Sequence, residues 1–178
     1  ADIERAARNF VYGKTITSGQ RCSSIQEALV DSKVEPEFTA RVLELAPGVV
    51  HGPGGSEEIT AADTDADSWS CPPLVSEDQR DRLTALVESS IEHGAELLYQ
   101  AQLPDGLAQK GNYFPFTLLT GVDENNPLYS QEAFGPAGVI RAVEDMREAI
   151  ELINSRIGIV ACIDSRDKSA TENFIEQV

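Results

Sequence analysis

A cysteine stands just past a glycine in Ser18-Gly19-Gln20-Arg21-Cys22-Ser23-Ser24, between a helix-like run and a strand-like run. Such a thiol can be a small core residue, half of a disulfide, a metal ligand or a nucleophile. Free cysteines are mostly buried and inert, and two of the three here fit that description. Cys162 falls inside an apolar run with strand character, where burial would raise its pKa and silence it. Cys71 sits beside two prolines in an acidic stretch with no cation near it in sequence. Cys22 differs, because a side chain at a junction can project into a cleft instead of a core. Gly19 lets the backbone approach a ligand closely. Arg21 is a nearby cation, and a backbone N–H at such a turn can donate to a developing oxyanion. These features single out Cys22 for chemistry and leave the inert alternative open.

Three widely spaced cysteines with no Cys-x-x-Cys pair argue against a disulfide framework or a zinc knuckle and for a reducing, intracellular compartment. The two histidines, His51 and His93, are too few for a His-rich metal site. Either could in principle serve Cys22 as the base of a cysteine hydrolase. His51 lies in a Gly/Pro-rich stretch and His93 ends an amphipathic helix, so both are expected on the solvated surface. A second constellation is Gln131-Glu132-Ala133-Phe134-Gly135-Pro136. An acid, an aromatic and Gly-Pro before a strand is an odd composition for a simple turn. The plain alternative is a strand lead-in with a Gly-Pro bend and a buried Phe.

The elements that must position these residues follow from periodicity. Residues 2–13 place Ile3, Ala6, Ala7, Phe10 and Val11 at helical spacing behind an Asp2 cap, and Gly13 and Gly19 bracket a transition. A strand follows around Ile25–Val30, then a helix with Pro36 in its first turn. Residues 47–73, rich in Gly, Pro and Asp, form a long acidic surface excursion. Asp63, Asp65 and Asp67 lack the glycine and distal glutamate of a calcium loop, which leaves a solvated acidic stretch. Ser76 with Gln79 makes a capping box for a helix whose apolar face is Leu83, Leu86, Val87 and Ile91, stopped by Gly94. Strands come next at "AELLYQA", at "NYFPFTLLTGV", whose proline suggests an edge or an irregular start, and at "AGVIRAV". A helix over "EDMREAIELINS" turns Met146, Ala149, Ile150 and Ile153 inward. "IGIVACID" is a strand covered on both faces, and a last helix starts at "DKSATENFIEQV". This order gives an α/β fold, a twisted, largely parallel sheet flanked by helices.

Composition excludes several classes of partner. The 178 residues carry a net charge of −16, which disfavours nucleic acid and anionic membrane surfaces. Apolar runs are too short for a membrane span. The charged N-terminal stretch lacks the apolar core of a signal peptide.

Taken together, Gly19-Gln20-Arg21-Cys22 and Gln131-Glu132-Ala133-Phe134-Gly135-Pro136 resemble the Gly-Gln-x-Cys and Glu-Glu-x-Phe-Gly-Pro motifs of the aldehyde dehydrogenase superfamily. The likeness extends through "CPPLVSEDQRDRLTALVESSIEHGAELLY" and "RAVEDMREAIELINSRIGIVACIDSRD". It implies that Cys22 is the nucleophile that oxidises an aldehyde to an acid through a thiohemiacetal and a thioester. It implies that Glu132 holds the nicotinamide ribose of NAD or NADP, that Phe134 packs near the nicotinamide, and that Gln20 braces the loop. Residues 1–178 would form the catalytic domain, with the dinucleotide-binding domain, the general base and an oligomerisation segment lying outside them. The abrupt ends fit a piece of a longer chain, inactive alone, from a cytoplasmic homo-oligomer. This sequence departs from the pattern at Gln131, Ala133 and Phe116, where the family has Glu, a β-branched residue and Pro. A non-catalytic binding or oligomerisation module of the same fold is the alternative.

Overall fold

The computed structural model describes residues 2–53, 68–156 and 158–178. Helix α1 (Ile3–Thr15) starts where the Asp2 carboxylate accepts from the Arg5 N–H at 3.2 Å. Its apolar stripe buries Ala7, Phe10 and Val11. The helix runs on through Gly13, two residues beyond the anticipated break. A Cβ at residue 13 would lie 2.5 Å from Ile25 Cδ1, so the glycine serves close packing and not a turn. Helix α2 (Glu35–Leu45), with Pro36 in its first turn, buries Phe38, Val42 and Leu45 and sets Phe38 edge-on to Phe10, ring centres 5.9 Å apart.

Four strands form the main sheet in the order β1 (Glu27–Asp31), β6 (Ala137–Val143), β5 (Thr117–Thr120) and β4 (Glu96–Gln100). β1, β6 and β5 run parallel, with Glu27 opposite Val139 and Thr117 opposite Ala137. β4 is antiparallel to β5. In between come β2 (Val49–His51), β3 (Trp69–Cys71), α3 (Glu77–Glu92) and the short α4 (Pro127–Ser130); α5 (Met146–Asn154) and α6 (Lys168–Gln177) follow β6. The period of two along a strand divides the core. Leu118 and Ile140 face α1 and α2, with Phe10, Val11 and Val42. Leu119 and Val139 face α3, with Leu83, Leu86 and Val87. Helices on both faces of a mostly parallel sheet are the α/β fold expected from the sequence.

Several expectations are corrected. Residues 158–164 are not a strand: Ile159 is 71% exposed, Val160 56%, and Cys162 is exposed. An apolar run becomes a strand only where a sheet edge takes its N–H and C=O groups, and neither edge strand, β1 or β4, pairs with it. β5 is central, although Pro115 does give it an irregular start. The 47–73 excursion is ordered at both ends, where β2 and β3 pair in parallel with Val49 opposite Trp69. Asp63, Asp65 and Asp67 lie outside the described residues. Ile91 is exposed, and Ser90 takes the buried place on α3, bonding to the Leu86 carbonyl at 2.7 Å.

Candidate active site

After α1 the backbone enters the left-handed region three times running, at Thr17 (φ 51°), Ser18 (φ 53°) and Gly19 (φ 68°). Two of these are not glycine, and such residues stay there only when their surroundings over-determine them. The surroundings are the run 71–75. Buried Ser18 donates to the Pro72 carbonyl, and its Oγ lies 3.5 Å from Cys71 Sγ. Gln20 Oε1 accepts from the Val75 N–H at 2.8 Å, and Gln20 Nε2 donates to the carbonyls of Thr17 and Pro73 at 3.2 and 3.5 Å. Gln20 therefore braces the loop. Cys22 follows in the turn closed by Ser24 N–H to Arg21 C=O at 3.0 Å, and it is exposed. Cys71 is fully buried, which pushes its thiol up to about 11 against the opposing pull of the Ser18 hydroxyl and Lys14.

The second motif makes its own left-handed turn at Phe134 (φ 48°). It touches the first backbone to backbone: a Cβ on Gly19 would sit 2.3 Å from the Gly135 carbonyl oxygen. Only glycine at 19 permits this approach, because it tolerates both the φ and the missing space. Gly135 is crowded less severely, since a Cβ there would meet the end of the Leu83 side chain, Cδ2, at 2.3 Å. The structure thus brings the Cys22 turn and the 132–136 turn together.

Helix α3 clamps the second turn with two side chains that the sequence reading missed. Gln79 Nε2 donates to the carbonyls of Ala133 and Phe134 at 3.2 and 2.8 Å. Arg82 Nη2 donates to those of Glu132 and Ala133 at 3.1 and 2.7 Å, and its Nε donates to Gln79 Oε1 at 3.1 Å. The capping box is half present. Ser76 Oγ accepts from the Gln79 N–H at 3.2 Å, while the Gln79 side chain turns to the 133–134 turn and not back to its cap. Behind the turn, Gln26 Oε1 accepts from the Ala133 N–H at 3.3 Å. The signal was available as two polar side chains three residues apart on one helical face.

Gln79, Arg82, Gln131, Glu132 and Phe134 line an open groove of about 500 Å³. Glu132 is exposed, and Phe134 is 37% exposed instead of buried. Among the described residues no cation forms an ion pair with Glu132, so its carboxylate can accept hydroxyl hydrogen bonds from a ligand. An exposed acceptor beside an aromatic face fits a ribose joined to a flat ring.

His51 is not on the surface. It is 7% exposed, and its Nε2 accepts from the Phe116 N–H at 3.0 Å. Burial holds its pKa below the ordinary imidazole value, with the Phe114 backbone partly opposing. His93 is exposed, as expected, and its Nδ1–H donates to the Ser89 carbonyl at 2.7 Å. Neither ring bonds to Cys22, so the described residues hold no thiol–imidazole pair. They also hold no group of His, Cys, Asp and Glu fit for a metal ion, and no helix long and apolar enough to cross a membrane.

Comparison with known proteins identifies relatives in sequence and in fold. An aldehyde dehydrogenase from Paenarthrobacter nicotinovorans is 33% identical over 174 residues, which is 97% of this chain and 35% of that protein. A succinate semialdehyde dehydrogenase from Escherichia coli, whose name gives NAD(P)+ as cofactor, is 29% identical over 95% of this chain and 34% of its own length. The chain spans about a third of the length of these relatives. The fold of betaine aldehyde dehydrogenase from Staphylococcus aureus, solved with NAD+, superimposes with a TM-score of 0.87 at 23% identity, covering all of this chain and 34% of that one. The family model for the aldehyde dehydrogenase family matches residues 1–178, end to end, and the chain belongs to that family.

Proposed function

We propose that this chain is the thiol-bearing part of an NAD(P)-dependent aldehyde dehydrogenase, with Cys22 as nucleophile and Glu132 and Phe134 as cofactor-positioning residues. The observation that carries the proposal is the direct backbone contact of Gly19 with Gly135, which joins the Cys22 turn to the turn bearing Glu132 and Phe134. A soft thiolate suits the task, since it adds readily to a carbonyl and later departs from an acyl group. Cys22 sulfur bonds to the aldehyde carbon, and the C=O pair moves onto oxygen to give a thiohemiacetal. The Cys22 backbone N–H, in a turn braced by Ser18 and Gln20, would donate to that oxygen. The nicotinamide, when bound, supplies the hydride acceptor by which the thiohemiacetal carbon is oxidised to a thioester. Water then adds to the thioester carbon, releasing the acid and the Cys22 thiol. Glu132 would accept from the ribose hydroxyls, and Phe134 would pack on the ring end of the groove. Alignment of this kind governs hydride transfer because donor and acceptor carbons must meet closely.

Three free cysteines fit a reducing cytoplasm, and a homo-oligomer is proposed for the whole protein by analogy with the family. The test is aldehyde-dependent reduction of NAD+ or NADP+ by the whole protein carrying Cys22→Ser. Activity should fall by roughly a thousandfold or more, the scale on which loss of a covalent nucleophile acts. Undiminished turnover would overturn the proposal and favour a binding module of the same fold.

A further inference from the structure

His51 is the last residue of β2, and its Nε2 accepts from the buried Phe116 N–H at 3.0 Å. A ring nitrogen accepts only while it carries no proton, so this hydrogen bond belongs to the neutral imidazole. Its consequence lies in what it joins. On one side stands the β2–β3 pair: His51 is opposite Cys71 in register, and the Gly52 N–H donates to the Cys71 carbonyl at 3.4 Å. Cys71 and the residues after it support the Cys22 turn, through Ser18 on Cys71 and Pro72 and through Gln20 on Pro73 and Val75. On the other side stands the entry to β5. The Thr117 N–H, the next one along from that of Phe116, donates to the Pro136 carbonyl at 2.9 Å and so holds the end of the turn that bears Glu132 and Phe134. One imidazole therefore spans the backbones that stand behind both turns. A second tie, from the Leu74 N–H to the Asn112 carbonyl at 2.8 Å, joins the same two runs further out.

We propose that His51 is an acid-sensitive pin behind the candidate site: neutral, it locks the run that braces the Cys22 turn to the start of β5, and protonated, it lets the two part. Protonation turns the acceptor into an N–H that faces the Phe116 N–H, and it leaves a cation where the side chain is buried. The titratable groups on the elements packed around the ring are Cys71 on β3, Lys14 on α1, Tyr99 on β4 against the Phe116 ring, and Tyr113 in the run before β5. The thiol and the phenols are neutral in mild acid, and Lys14 is a cation there. On α2, Arg41 and Glu44 pair with each other. Among the described residues no carboxylate forms an ion pair with His51. A protonated ring thus has no counter-charge to hold it in place, and movement of β2 away from residues 114–116 relieves both the lost bond and the buried charge. The pin is closed at neutral pH and opens on the acidic side, below the ordinary imidazole value. The proposal concerns how the two turns are held, and it stands whether or not the chain acts on aldehydes.

Hydrogen exchange of the whole protein reads the pin directly, followed by mass spectrometry of its peptides and scaled at each pH to the intrinsic exchange rate. On going from about pH 7.5 to about pH 5.5, peptides covering Phe116 and residues 16–24 should lose protection by about fivefold or more, while those of α5 keep theirs. His51→Gln replaces the ring by a carbonyl that accepts and does not titrate, so it should keep the protection seen at neutral pH and abolish the loss in acid. His93→Gln, at an exposed ring, should behave like the wild type. Wild-type protection at Phe116 that is the same at both pH values overturns the proposal. So does a loss shared equally by α5, one that survives in His51→Gln, or one that His93→Gln also removes. The wild-type comparison stands even where His51→Gln does not fold. No arm needs turnover, so failure of the dehydrogenase reading, seen with Cys22→Ser, is distinguishable from failure of this one.

Discussion

Gly19 carries a double geometric demand, with a left-handed φ of 68° and no room for a side chain against the Gly135 carbonyl. Gly19→Ala should therefore cost about 2 kcal/mol or more of stability, from strain plus the forced retreat of residues 134–135. Urea unfolding measures it, and a loss within about 0.5 kcal/mol would mean that the turns relax freely. The thiols give a second test at the same scale. Cys22 and Cys162 are exposed, while Cys71 is sealed and held up at about 11. Alkylation of the native protein near neutral pH should modify Cys22 and Cys162 and spare Cys71 until the protein unfolds, as mass mapping of the peptides would show. Native labelling of Cys71 would mean that the β3 end of the Cys22 turn opens readily.

Helix α3 acts as a tool as well as a layer. Its first two turns present Gln79 and Arg82 to three consecutive carbonyls, those of Glu132, Ala133 and Phe134. Gln79→Leu should leave the Phe134 carbonyl without its partner, while Arg82 still serves that of Ala133, and lower stability by about 1 kcal/mol. In the whole protein it should also raise the cofactor KM, because the turn carrying Glu132 and Phe134 loses its brace; an unchanged KM would confine Gln79 to stability. The same helix shows what was legible in the sequence. Its limits, its Ser76 cap and its Leu83–Leu86–Val87 face are periodic local signals, and all three hold. The direction of the Gln79 side chain is not local, since its partners lie 54 and 55 residues further on. The "IGIVACID" strand failed for the same reason, because apolar composition states a preference and a neighbouring edge decides it. His51 was misplaced because its burial depends on β2 pairing with β3 across the acidic excursion. At the candidate site, residue types and motifs were readable, whereas the contact of Gly19 with Gly135 needed the fold to bring residues 116 apart in the chain together.

The whole molecule combines an acidic exterior with two buried bases, and its stability should record both. The net charge of −16 sets up self-repulsion that salt screens, while the exposed ion pairs on the surface are each worth little. Repulsion should win, so the melting temperature should rise with added sodium chloride at neutral pH. The buried bases act through protons. Lys14 is depressed to about 7, so between the ordinary lysine range and neutrality the unfolded chain binds a proton that the native protein refuses. Stability from this group is present at high pH and is lost as pH falls toward 7. His51 is also depressed, with its Nε2 already accepting from Phe116, so a second loss begins as pH falls below the ordinary imidazole value near 6.5. Carboxylates held low by arginines, such as Glu4 at about 2, stay ionised through this range and contribute no slope. Denaturant midpoints measured at fixed salt from mildly acidic pH to about 9 should therefore climb with pH in two stages, because above about 9 the Cys71 thiol, held up at about 11, adds a slope of the opposite sign. Lys14→Met should be more stable than wild type at neutral pH, with the advantage shrinking as pH rises through the lysine range. A variant whose advantage is the same at every pH would show that the Lys14 amine keeps an ordinary affinity for its proton when buried.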